Sequence, residues 1–195
     1  MLTTRRRLPH QYPEGKWIFA TWHLHGSLPQ ERYPPPGKLS ARKAFVWIDR
    51  YLDTTSTGPL NLRLEPIAKL MVASLFRGVE LGHYELGAWV LMANHVHVLL
   101  LPKIAPALLF RGLKGATARD ANKILGLTGN PFWQGESYDH WVRDDVELGR
   151  IGMYIENNPV KAGLVSRPED YKWSSASAEM SLGAAGTSAR ATFLG

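Results

Sequence analysis

His95 and His97 stand on either side of Val96 in the run WVLMANHVHVLLL, residues 89–101, and this pair is where the sequence first offers chemistry. The run reads as a buried β-strand. Side chains alternate faces along a strand, so the two imidazoles point one way and Val96 and Val98 the other. Two imidazoles side by side on a rigid element could hold one divalent cation. They do not fill a coordination sphere, so a third protein ligand, a water or a substrate phosphate has to join them. Two buried structural histidines are the plainer alternative. A second pair, His23 and His25, has the same spacing near the end of an earlier aromatic run. The pair could contribute to the same metal, but contact with DNA, with His25 the candidate, or a place facing water at a strand end is favoured.

The stretch DDVELGRIGMYIENNPVK carries the next candidates. Leu148, Ile151 and Ile155 form an apolar stripe at helical spacing, with Tyr154 on its flank and Asn158 one turn further on. A flanking tyrosine is commonly a packing residue whose hydroxyl reaches water. It can also be a covalent nucleophile. A phenol attacking phosphorus needs charge managed at the phosphate, which a divalent cation supplies. Arg143, Lys161 and Arg167 could follow a phosphate backbone, together with Arg111, Lys114, Arg119 and Lys123 on one helix face. Trp133, Tyr138, Trp141 and Trp173 could stack on unpaired bases or fill the core.

The elements that must position these residues follow from pattern. Residues 17–25 read as a first strand, and 39–52 as a helix with Phe45, Ile48 and Leu52 inward. Residues 65–78 form a second helix with Pro66 in its first turn. Strands over 83–92 and 95–101 bend at Ala93 and Asn94, and a third helix covers 106–125. An irregular aromatic strand spans 132–143. Asp144 with Glu147 resembles a capping box opening a fourth helix, which ends near Asn157 ahead of Pro159. The order β-α-α-β-β-α-β-α predicts an α+β fold, one antiparallel sheet with helices packed mainly on one face. Residues 16–180 are expected to form a single domain, with 1–15 a basic arm and 181–195 a flexible tail.

The 195 residues are 45% hydrophobic and 21% charged, with a formal net charge of +6. That balance describes a globular protein drawn to polyanions. The absence of cysteine excludes disulfides, thiolate metal sites and cysteine nucleophiles. No apolar run approaches the length of a membrane span, so a cytoplasmic protein with no membrane partner is expected.

ANHVHVLL, followed some sixty residues later by YIENNPVKAGLV, resembles the single-tyrosine HUH transposases, and in particular the REP-associated tyrosine transposases. The stretch FWQGESYDHWVRDD and the later EDYKWSSA are similar to that family too, so the resemblance spans roughly residues 16–176. It implies a ferredoxin-like or RRM-like sheet. It implies that His95 and His97 bind Mg²⁺ or Mn²⁺, and that Tyr154 attacks a DNA phosphodiester to give a 5′-phosphotyrosine and a free 3′-OH. Asn158 matches the position of a third metal ligand, where related transposases carry glutamine. Ala93 stands where the family often has proline, which removes no ligand. The expected partner is single-stranded DNA with a hairpin, bound by a monomer or a homodimer, with Arg143, Lys161, Lys114, Arg111, Trp133 and His25 as candidate DNA contacts. The rival readings are a hairpin-binding module without chemistry and a small metal hydrolase that does not use Tyr154.

Overall fold

A computed structural model describes residues 13–32, 39–135 and 137–177. The expected tail at 181–195 and the first twelve residues of the expected arm lie outside these. The elements are β1 (Ile18–His23), α1 (Ala41–Thr54), α2 (Glu65–Glu80), β2 (Tyr84–Leu91), β3 (His95–Pro102), α3 (Pro106–Leu125), β4 (Tyr138–Trp141), α4 (Asp145–Glu156) and a single turn, α5 (Asn158–Lys161). The strands form one sheet in the order β2-β3-β1-β4, with every neighbouring pair antiparallel. This is the expected α+β architecture.

β1 and β3 are the central strands, and each is buried on both faces along most of its length. Their near-continuous apolar and aromatic sequences require cover on both sides. On one face, Ile18, Ala20 and Trp22 of β1 and Val96, Val98 and Leu100 of β3 meet Ile67, Met71 and Leu75 of α2 and Leu109 and Ala121 of α3. On the other, Phe19, Val90 and Leu99 pack with Phe45 of α1 and Ile155 of α4. The two longest helices thus share one face, but the helices are not gathered mainly there. α1 and α4 cover the opposite face, and that is the face on which His95 and His97 stand. Among the described residues no helix is long and apolar enough to cross a membrane.

Local chemistry sets the boundaries. α1 begins after Ser40, whose hydroxyl accepts the Lys43 N–H, so the helix starts two residues later than its apolar pattern. α3 stops at Gly126, whose φ of 68° is the left-handed conformation that ends helices. In β2 a bulge between Leu86 and Trp89 turns both residues to the same face. The aromatic stretch 132–143 yields only the four residues of β4, while Trp133 makes an isolated bridge to Leu24.

Candidate metal centre and nucleophile

The register of β1 on β3 places Thr21 opposite His97 and His23 opposite His95. His97 Nδ1 lies 2.7 Å from Thr21 Oγ1, and His95 Nδ1 lies 2.7 Å from Asn94 Oδ1. The Asn94 amide nitrogen donates to the Leu52 carbonyl at 3.1 Å, which turns its oxygen toward the ring. His95 Nδ1 must therefore be the donor, and its Nε2 carries the free lone pair. Such outer partners fix the tautomer that a metal requires. The same amide ties the C-terminal end of α1 to the strand that bears the histidines.

Both Nε2 atoms point to one spot, 3.1 Å apart. α1 brings two carboxylates to it. Asp49 Oδ1 is 3.1 Å from His97 Nε2 and 4.0 Å from His95 Nε2, and Asp53 Oδ1 is 3.4 Å from His95 Nε2. Asn158, wholly buried at the start of α5, puts its amide nitrogen 3.3 Å from His97 Nε2. A half-turn of that amide exchanges nitrogen for oxygen. Asp49 Oδ1, Asp53 Oδ1 and Asn158 Oδ1 are buried without a hydrogen-bond partner. The Trp22 indole nitrogen completes that set of unpaired side-chain atoms among the described residues. Two unpaired carboxylate oxygens beside two imidazole nitrogens, with the Asn158 oxygen a half-turn of its amide away, suit a cation. The Asp49, His95 and His97 donor atoms all lie within 4.8 Å of one another. Ligands at ordinary bond lengths of about 2.1 Å around one ion are separated by similar distances.

Tyr154 projects from α4 into the same cluster, and its hydroxyl donates to Asp49 Oδ2. One carboxylate therefore spans the phenol and the histidine pair. The tyrosine ring sits edge-on to Phe19, Phe45 and His97, with centroids 6.0, 6.2 and 5.8 Å away, and the Lys161 ammonium lies 3.9 Å from its centroid. Burial and the Asp49 charge both push the Tyr154 phenol well above its ordinary pKa. Burial alone would raise the Asp49 carboxyl, but the two imidazoles and the Tyr154 hydroxyl outweigh it and hold it at about 2. Burial lowers the pKa of His97 and favours the neutral, ligating form. Tyr154 and Asn158 reach one site because Asn157 keeps helical backbone between α4 and α5, despite the break imposed by Pro159.

Apart from Lys161, which lies against the Tyr154 ring, the other candidates scatter. Lys161, Arg111 and His25 are exposed. Arg143 is exposed, but Glu147 holds its guanidinium at 2.6 and 3.0 Å and also accepts its backbone N–H. The carboxylate that a capping box would turn to Asp144 reaches one residue further back. The Lys114 ammonium donates to the Gln134 carbonyl at 2.9 Å. Trp133, expected as a DNA contact, lies in the core instead: it is 7% exposed, its indole N–H donates to Thr117 Oγ1, and its ring packs edge-on to Trp22 and Phe132. No face of it is left for a base. The second histidine pair divides. His23 is buried with Nδ1 2.8 Å from Ser27 Oγ, and burial lowers its pKa to about 4.

Asp49 and Asp53 are not among the residues that the sequence patterns single out. Their signal was an acid at position 49 inside the stripe of Phe45, Ile48 and Leu52, repeated one turn later.

A family model described as "Transposase IS200 like" matches residues 44–158, more than half of the chain. The chain belongs to the IS200-like transposase family. The match begins in α1 and ends at Asn158, so it takes in Asp49, Asp53, Asn94, His95, His97, Tyr154 and Asn158. A solved structure of a REP-associated tyrosine transposase bound to a REP hairpin shares the fold of this transposase, with 19% identity, TM-score 0.57, and coverage of 86% of this chain and 80% of that one. A putative transposase from Deinococcus radiodurans R1 is similar at 17% identity over 77% of this chain and 96% of that one, with TM-score 0.42. No curated protein matches the chain in sequence.

Proposed function

We propose that this transposase nicks and rejoins single-stranded DNA beside a hairpin, with Tyr154 as the nucleophile. One observation carries the reading: the Tyr154 hydroxyl and the histidine pair share the Asp49 carboxylate. A tyrosine that only packed against the sheet would not need a buried carboxylate whose other oxygen faces two imidazoles. In the reaction a bond forms between the Tyr154 oxygen and the scissile phosphorus, and the bond from phosphorus to the 3′-oxygen breaks. The products are a 5′-phosphotyrosine and a free 3′-OH, and the phenolic proton is balanced by the one the 3′-oxygen gains. Attack by a 3′-OH on the phosphotyrosine reverses the bond changes and joins strands.

His95, His97 and Asp49 would hold a divalent ion, Mg²⁺ or Mn²⁺, with Asn158 and Asp53 as further oxygen donors. When bound, such an ion supplies positive charge at the scissile phosphate. The protein's own residues set the stage. Asn94 and Thr21 hold the rings, Asp49 orients the phenol, and Phe19 and Phe45 shield the ring from water. Lys161, Arg111 and His25 are proposed DNA contacts. A hairpin substrate is suggested by the REP hairpin bound to the related transposase.

Covalent capture tests this. Labelled single-stranded DNA bearing palindromic hairpins is incubated with the protein and Mg²⁺ or Mn²⁺ and run on a denaturing gel. A metal-dependent protein–DNA band, absent in Tyr154→Phe and His95→Ala, is expected. Cleavage without an adduct would replace the tyrosine mechanism with metal-assisted hydrolysis.

A further inference from the structure

α1 has two faces with different chemistry. Phe45, Asp49 and Leu52 point inward to the sheet and the histidines. At 100° per residue, Lys43, Trp47 and Arg50 fall on the opposite side, spaced i, i+4, i+7. All three are exposed, Trp47 by 55%, an unusual position for so large an apolar ring. The only acids in α1 are Asp49 and Asp53, and both are turned toward the histidines, so every exposed charge on the helix is positive. The side chains of Arg42, Lys43 and Arg50 form no ion pair with another residue among those described.

Trp47 is also held in place. Its indole N–H donates to the Arg32 carbonyl at 3.2 Å, and the Arg32 guanidinium lies 5.5 Å from the Tyr51 ring centroid on the next turn. The ring therefore stands as an ordered plate between cations. At the N-terminal end of the helix, Arg42 is a further exposed cation. Tyr138 stacks on Phe45 at 4.2 Å, and Phe45 borders Tyr154.

We propose that the outer face of α1 binds the single-stranded DNA flanking the scissile phosphate, with an unpaired base stacked on Trp47 and Lys43 and Arg50 on neighbouring phosphates. Fixed aromatic rings interleaved with cations are the arrangement that binds single strands with little regard to sequence. A helix is about 10 Å across, so the stacked base lies a few nucleotides from the bond that Tyr154 attacks. The inference rests on the single-stranded DNA reading above and gives that substrate a second point of attachment.

The test uses a fluorescein-labelled DNA hairpin, with and without a single-stranded oligothymidine flank, titrated with the full chain by fluorescence anisotropy. Trp47→Ala should weaken binding of the flanked hairpin by on the order of tenfold. It should leave the unflanked hairpin unchanged, and Trp47→Phe should retain most of the affinity. Lys43→Glu with Arg50→Glu should make the salt dependence of flanked binding shallower by about one to two phosphates. Equal affinities of wild type and Trp47→Ala for both probes would overturn the proposal. So would a loss of self-association in Trp47→Ala by sedimentation, which would make this face a contact between copies. The adduct assay keeps the two readings apart. Trp47→Ala should still form the phosphotyrosine at saturating DNA, whereas failure of wild type to form it defeats the nucleophile and leaves the binding comparison intact.

Discussion

Replacing Asp49 by asparagine separates a metal ligand from a structural ion-pair partner, because the two roles predict opposite signs. Asp49 is buried, its Oδ1 has no hydrogen-bond partner, and its Oδ2 accepts the Tyr154 hydroxyl. In asparagine the remaining oxygen can still accept that hydroxyl, and the new amide can donate to His97 Nε2 at the existing 3.1 Å separation. In chelator, Asp49→Asn should therefore melt at or above the wild-type temperature, since a buried charge disappears and an unpaired acceptor becomes a paired donor. With Mn²⁺ at about 100 times its wild-type dissociation constant, the wild type gains about 2.7 kcal/mol. At about 2–4 °C per kcal/mol that is a rise of roughly 5–11 °C. Loss of an anionic ligand is expected to weaken metal binding by about 10- to 100-fold or more. The variant then gains only about 0.4–1.4 kcal/mol, or roughly 1–6 °C. Thermal melts of wild type and variant, each with EDTA and with Mn²⁺, read both signs. If Asp49 instead neutralises a protonated His97, breaking the pair should cost about 3–5 kcal/mol in chelator and leave the metal response alone. That pattern would refute the metal assignment.

Three more outcomes are expected. Tyr154→Phe should abolish the covalent adduct while keeping the full metal-induced rise in melting temperature, because the phenol is no ligand. Glu147→Gln should destabilise the protein by about 1–3 kcal/mol in urea at neutral pH, since it removes the carboxylate that holds the Arg143 guanidinium and backbone N–H. The hydrogen bond from Arg143 holds the Glu147 carboxyl at about 2, below its ordinary value. The contribution is therefore whole above about pH 4.5 and is lost as pH falls toward 2, so the gap between wild type and variant should close over that window. Thr117→Val should cost about 1–3 kcal/mol by stranding the buried Trp133 indole N–H, measured by the same unfolding curves.

The elements bounded by local chemistry were legible in the sequence. Pro106 and Gly126 enclose α3 at both ends, Pro66 places the start of α2, and the two strands around Asn94 form the hairpin that carries the histidines. Positions that depend on how elements cross were not legible. Trp133 lies in an aromatic stretch with no clean period, and only the packing of β1 against α3 shows that it belongs to the core. Arg143 is tied to Glu147, four residues on, the residue that the sequence pattern gives to the helix cap. Asp49 is the instructive case. Phe45, Ile48 and Leu52 define an inward arc, and position 49 falls within that arc by angle alone. Nothing in the pattern says whether an acid there leans out to water or faces something that wants it. The answer lies in the Asn94 amide, which binds Leu52 and lays α1 across the histidines.

The cluster also makes little sense as a purely structural feature. An unpaired buried acceptor costs about 1–3 kcal/mol, more when it is charged. Asp49, Asp53 and Asn158 each leave one such atom beside the same two imidazoles. Together these approach the whole stability of a typical domain, about 5–15 kcal/mol. A neutral His95 cannot relieve the carboxylates, because its Nδ1 donates to Asn94 and its Nε2 has no hydrogen to offer. A neutral His97 can offer an Nε2–H to Asp49 only if the Thr21 hydroxyl donates to its Nδ1, and Asp53 and Asn158 then still lack a partner. Protonating His97 would relieve the carboxylates, but its burial opposes that. A divalent cation satisfies the two carboxylate oxygens and both imidazoles at once, and the Asn158 oxygen when its amide is turned. It also offsets the negative charge that Asp49 otherwise sets against ionisation of Tyr154. The arrangement that is costly without a cation is the one that becomes reactive with it, so metal affinity and nucleophile activation should fail together when the shared carboxylate is removed.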